Sequence, residues 1–159
     1  MTMSTFARKG TVACRWAAVA VVALMLGATD AGASHLGDGK KHRILYQLDD
    51  AGVDKARFVL NNVRNHVSGV GGWKNIDALE LVVFGPALRS FLRKDMDPGV
   101  RQALEALQGQ GVTFAACGNT MKGLGITLDE LPRGTRTLEQ GGVVRVMELQ
   151  EQGYAYIRP

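Results

Sequence analysis

Two hydrophobic spacings alternate along this chain. Arg43 to Leu48 (RILYQL) is a short run of β-formers that stops at Asp49-Asp50-Ala51-Gly52, which is turn chemistry, and it predicts a first strand. From Val53 the period changes: Ala56, Val59, Leu60, Val63 and Val67 recur at spacings of three and four, the mark of a helix with one apolar face, and glycines at 69, 71 and 72 end it. Leu79 to Phe84 (LELVVF) is a largely apolar run of strand length, as expected of a strand covered on both faces, and Gly85-Pro86 stops it. Two helical pieces follow, Ala87 to Lys94 and Pro98 to Leu107, the second opened by Asp97 as cap and Pro98 at the first helical position.

The alternation continues to the end of the chain. Val112 to Ala116 (VTFAA) predicts a third strand that breaks off at Cys117-Gly118-Asn119-Thr120, before a short helical piece around Met121 to Leu124. Thr127 and Glu130 have capping-box spacing ahead of a turn at Leu128 to Leu131, and Arg136 to Leu138 reads as a short fourth strand. Gly141-Gly142 opens a last helix, Val143 to Gln152, with Val143, Val146, Met147 and Leu149 as its apolar set; Gly153 closes it, and Tyr154 to Ile157 forms a final strand. Strands alternating with helices imply an α/β protein with parallel pairing and helices on both faces, because each parallel crossover needs a long connection.

Residues 1–33 have a different pattern. Arg8, Lys9 and Arg15 form a basic region, Trp16 to Leu26 is almost continuously apolar, and Ala31-Gly32-Ala33 supplies small residues at a cleavage site, the organisation of an export signal cut after Ala33. The apolar run is shorter than the roughly twenty residues that span a bilayer, so no permanent membrane span is expected in the mature form. A periplasmic or secreted protein follows, with a polar lead at residues 34–41 and one folded domain at 42–159.

This division changes the meaning of the charge. The whole chain has 19 Lys and Arg against 15 Asp and Glu, but three of those bases and Asp30 lie within residues 1–33, which leaves 16 against 14. No basic run interleaved with aromatics remains, so nucleic acid is not an expected partner. Cysteine usage changes too. Cys14 leaves with the signal, and Cys117 then has no partner within the chain; in an exported protein such a thiol is buried and inert, intermolecular, or reactive.

Ligands of open parallel sheets collect at the carboxyl ends of the strands. Three turns qualify: Asp49-Asp50, Gly85-Pro86 and Cys117-Gly118-Asn119-Thr120. Cys117 is the good nucleophile among them. It stands between a strand and a helix, where unpaired N–H groups and the helix dipole lower a thiol pKa and where Asn119 or Thr120 is placed to cap. The carboxylates of Asp49 and Asp50 would oppose ionisation if close, and Ala115-Ala116-Cys117 is equally readable as the end of a buried strand. His66, the histidine inside the folded part, is far in sequence from Cys117, so a Cys–His hydrolase is a poor fit. His35 and His42 lack an organised third ligand, and neither a GxxxxGKS/T phosphate loop nor a GxGxxG fingerprint is present; no metal centre or cofactor is expected.

The runs ILYQLDDAGVDKARFVLNNVRNHVSG, LELVVFGPAL, GVTFAACGNTM and GGVVRVMELQEQGYAYIRP resemble the DsrE/DsrF-like proteins, particularly their small exported members, over residues 42–159. The resemblance implies a three-layer α/β/α domain with a five-stranded parallel sheet in a flavodoxin-like arrangement, often assembled into homo- or hetero-oligomers. It also implies sulfur chemistry: better understood relatives carry sulfane sulfur as a cysteine persulfide and pass it between thiol proteins. Cys117 matches the family's cysteine in the turn after the third strand, and Gly118, Asn119 and Thr120 match its neighbours; Asp49 and Gly85 complete the candidate substrate-contacting set at the same sheet edge. The export signal departs from the cytoplasmic relay members. The expected function is therefore sulfur carriage on Cys117 with a thiol-containing donor or acceptor protein. The alternatives are a non-catalytic assembly or small-ligand binding module with a structural cysteine, and a redox sensor.

Overall fold

The computed structural model describes residues 39–159. The proposed export signal and most of the polar lead lie outside the described residues. Strands β1 (His42–Leu48), β2 (Ile76–Val83), β3 (Thr113–Cys117), β4 (Arg136–Leu138) and β5 (Ala155–Ile157) alternate with helices α1 (Val53–Gly69), α2 (Pro98–Gly109), α3 (Gly118–Leu124) and α4 (Gly142–Glu151). All strand pairs are parallel, in the order β4-β3-β2-β1-β5. The layers are those expected of a flavodoxin-like α/β/α domain, but the strand order differs from the 2-1-3-4-5 order of flavodoxin itself.

That order decides which helix lies on which face. The chain steps in one direction from β1 to β4 and then returns past β1 to reach β5. Because parallel crossovers are right-handed, the step helices belong on one face and the return helix on the other. The buried clusters agree. Ile44, Tyr46, Leu48, Leu81, Val83, Phe114 and Ala116 pack with residues of α1, α2 and α3, whereas Leu45, Val82, Ala115 and Leu138 pack with Leu149 of α4. The two sets alternate along each strand, as the period-two geometry of a pleated strand requires.

Several local expectations are corrected. The helical piece expected at Ala87 to Lys94 is a 3₁₀ segment at Gly85–Phe91, with Ala87, Leu88 and Phe91 buried. Strand β2 begins at Ile76, and α3 begins at Gly118, directly after β3. Its early start depends on Gly118 having no side chain: a Cβ there would lie 2.9 Å from the carbonyl oxygen of Leu138 on the neighbouring strand. Cys117 is therefore the N-cap residue, and Asn119 and Thr120 lie in the first turn rather than ahead of it. In α4, Val143 and Met147 do not face the sheet; they are 69% and 51% exposed. The inward stripe is Gly142, Arg145, Val146 and Leu149. An arginine occupies one of its four places, and a search for apolar residues alone selects the wrong side of the helix.

Candidate functional site

Loops that leave neighbouring strands toward opposite faces open a crevice between them. Here that happens between β3, whose chain continues into α3 on one face, and β4, whose chain continues into α4 on the other. Cys117 ends β3 at this point, paired in register with Leu138. Strand alternation directs its side chain to the α4 face, beneath the N-terminus of that helix.

Cys117 is 6% exposed, yet polar donors surround its sulfur. Burial pushes the thiol pKa up. The Thr120 hydroxyl, with the backbone N–H groups of Thr120, Gly142 and Asn119, more than offsets this, and the net pKa lies below that of an ordinary thiol. Cys117 makes no full side-chain cap hydrogen bond, so these donors act on it mainly through their dipoles. They come from two separate elements, the first turn of α3 and the start of α4. Thr120 is itself held in place: the Gly85 N–H donates to its Oγ1 at 2.9 Å, which leaves the hydroxyl proton free to point at sulfur.

Two glycines allow α4 to approach. A Cβ on Gly142 would stand 2.7 Å from Cδ1 of Phe84, and one on Gly141 would stand 2.9 Å from Nδ2 of Asn119. Gly141 also has φ 103°, a conformation that side-chain-bearing residues rarely adopt. These glycines were legible in sequence as a helix start. Their place in the sulfur's surroundings was not, because it depends on β4 lying beside β3. A second strand-to-helix turn on the carboxyl edge of the sheet was the available signal.

Cys117, Gly118, Asn119 and Thr120 thus come together, and Gly85 joins them through Thr120. The Asp49 carboxylate does not, although the Asp49 carbonyl oxygen would stand 3.5 Å from a Cβ on Gly85. Asp49 directly follows β1, two strands from β3 and roughly 10 Å away by ordinary strand spacing. Its carboxylate accepts two hydrogen bonds from Arg158 at 3.0 Å each. Burial pushes its pKa up, but Arg158 and Gln47 together prevail and hold it below the usual carboxylate value. A Cys–His pair is likewise absent from this arrangement: His66 Nδ1 lies 3.0 Å from the Tyr46 hydroxyl, and Tyr46 belongs to the opposite face of the sheet from Cys117. Among the described residues, no group of three or more His, Cys, Asp or Glu side chains is placed to hold a metal ion.

Fold and site together define a parallel α/β protein with a thiol at the point where its crossovers change sides. The model of the DsrE/DsrF-like family matches residues 54–159, and the chain belongs to that family, consistent with a protein related to sulfur metabolism. Among solved structures, the Methanobacterium thermoautotrophicum protein MTH1491, described as of unknown function, is similar at 28% identity and a TM-score of 0.66, covering 75% of this chain and 100% of that one. The Escherichia coli ychN protein shares the fold at 21% identity and a TM-score of 0.56, covering 74% of this chain and 99% of its own. BT1422 of Bacteroides thetaiotaomicron shares it at 15% identity and a TM-score of 0.51, covering 73% of this chain and 93% of its own. Comparison with curated proteins gives no match. No helix among the described residues is long and apolar enough to cross a membrane.

Proposed function

We propose that the protein is a sulfur carrier that holds sulfane sulfur as a persulfide on Cys117, acting outside the cytoplasm after removal of residues 1–33. The observation that supports this most is the set of N–H and O–H donors from α3 and α4 around Cys117, which lowers the thiol pKa below its ordinary value. In the reaction, the Cys117 thiolate attacks the outer sulfur of a donor persulfide. A new S–S bond forms, the donor's S–S bond breaks, and the donor leaves as a thiolate. The thiolate of an acceptor protein then attacks the outer sulfur in turn and Cys117 is regenerated, so no net oxidant or reductant is consumed. A single cysteine suits this role, because no resolving thiol within the described chain discharges the persulfide as a disulfide.

The test is intact-protein mass spectrometry after polysulfide treatment. The expected result is a gain of one sulfur atom that reduction removes and that Cys117→Ser abolishes. The low exposure of Cys117 favours one other reading, a binding or assembly module of this fold in which the sulfur is packing. That reading requires a thiol that takes up no sulfur, resists alkylation in the native protein, and titrates at or above the free-cysteine value of about 8.5.

A further inference from the structure

Helix α4 covers its face of the sheet with little apolar contact, and what it has lies beyond its first turn. Leu149 is its one fully buried large side chain, Val146 is half-buried beside it, and Val143 and Met147 face outward. The first turn, residues 142–145, which faces the sulfur, adds no side chain to this apolar cluster; Gly142 packs closely on Phe84 there. An ion pair occupies that position instead. Glu80 of β2, 5% exposed, is the buried charged residue among those described. Arg145, three residues beyond Gly142, donates to both of its oxygens, Nε to Oε1 and Nη2 to Oε2, at 2.8 Å each. Glu148 accepts from Arg145 Nη1 at 3.1 Å, and Arg136 of β4 approaches Glu80 at 3.9 Å. The network reaches from β2 to β4 across β3, where Ala115, small and on the same face, pairs in register with Arg136.

A two-bond guanidinium–carboxylate fork fixes orientation as well as distance. A helix held by hydrocarbon alone slides and rotates more readily than one held by such a fork. We propose that the Glu80–Arg145 pair is a positioning element that fixes the first turn of α4 over the Cys117 sulfur, so that this remote pair sets the chemistry of the thiol. Neither residue touches the sulfur. The proposal rests on the reading of Cys117 as an ionisable, working thiol.

Truncating one partner alone strands a buried charge and is strongly destabilising, so the informative variants keep the fold. Arg145→Lys retains the charge without the fork. Glu80→Leu with Arg145→Met replaces the pair by hydrocarbon of similar size, a change that is often neutral for stability. The measurement is the Cys117 thiol pKa, read from thiolate absorbance against pH, with Leu104→Ala in α2 as a variant destabilised on the other face. Both pair variants are expected to raise the thiol pKa by about half to one unit, while Leu104→Ala leaves it unchanged. Folded pair variants whose thiol titrates as wild type overturn the positioning role and leave the carrier reading intact. A wild-type thiol that titrates like free cysteine overturns the carrier reading, and positioning with it.

Discussion

The two faces of this sheet are built differently. On one, α1, α2, α3 and the 3₁₀ segment bury 24 of the described residues in a single cluster that includes Tyr46, Phe91 and Phe114. On the other, one helix covers the strands and five residues are buried together. Phe91 and Phe114 pack with tilted rings, centroids 4.9 Å apart, on the rich face, whereas the poor face relies on an ion pair and on glycines that permit close approach. The sulfur belongs to the poor face, so stability and chemistry are largely separated across the thickness of one sheet. A site assembled from backbone N–H groups needs close approach more than it needs hydrocarbon, and bulky core side chains would hold α4 away from it.

The strongest way to break this contrast is to open a cavity on each face. Phe114→Ala removes a wholly buried ring and is expected to cost about 3–5 kcal/mol in denaturant unfolding. The thiol reactivity of the protein that remains folded should be unchanged. Leu149→Ala on the thin face should cost less, about 2–3 kcal/mol, yet it should slow alkylation of Cys117, because α4 loses its apolar anchor. Equal costs, with thiol chemistry insensitive to both, would remove the distinction between the faces.

A smaller effect is expected at Thr120. Thr120→Val keeps the shape but takes the hydroxyl from the sulfur and strands the Gly85 N–H, at a cost of about 1–3 kcal/mol. Its sharper signature is in pH. The folded thiol has its pKa below that of the unfolded chain, so the contribution of Cys117 to stability is full above the unfolded value, about 8.5, and is lost as pH falls through the folded value. Thr120→Val should flatten that dependence and slow iodoacetamide labelling at neutral pH, where less thiolate is present. A stability–pH curve parallel to that of wild type would show that the hydroxyl does not act on the sulfur.

How much of this was legible beforehand follows from the range of each interaction. The strand and helix periods are local, and they located β1, α1, α2, β4 and the break at Cys117 to within a few residues. The cysteine turn and its neighbours Gly118, Asn119 and Thr120 were also readable, because a strand running into a helix is a local event. The second half of the site was not. That Gly142 lies over the sulfur depends on the order β4-β3-β2-β1-β5 and on the return crossover changing faces. Glu80 interrupts an apolar run and looks like a tolerated exception until Arg145 is found opposite it, 65 residues later. Asp49 was placed correctly at the sheet edge, but its partner Arg158 lies 109 residues away.

The smallest effect is expected on the outer side of α4, and it tests whether the poor face ends there. Val143 and Met147, one turn apart, are 69% and 51% exposed in the single chain. Surface substitutions away from packing or polar networks usually change stability by less than about 0.5 kcal/mol. Val143→Ser and Met147→Ser should therefore be nearly silent in unfolding experiments and in thiol titration, although Val143 directly follows the Gly142 whose N–H addresses the sulfur. A free helix face predicts a loss that does not depend on protein concentration. If either variant costs more than about 1 kcal/mol, and the cost grows with concentration, a second copy of the chain covers α4. The thin face would then be completed by association, and the sulfur would work within an interface rather than at the edge of a lone domain.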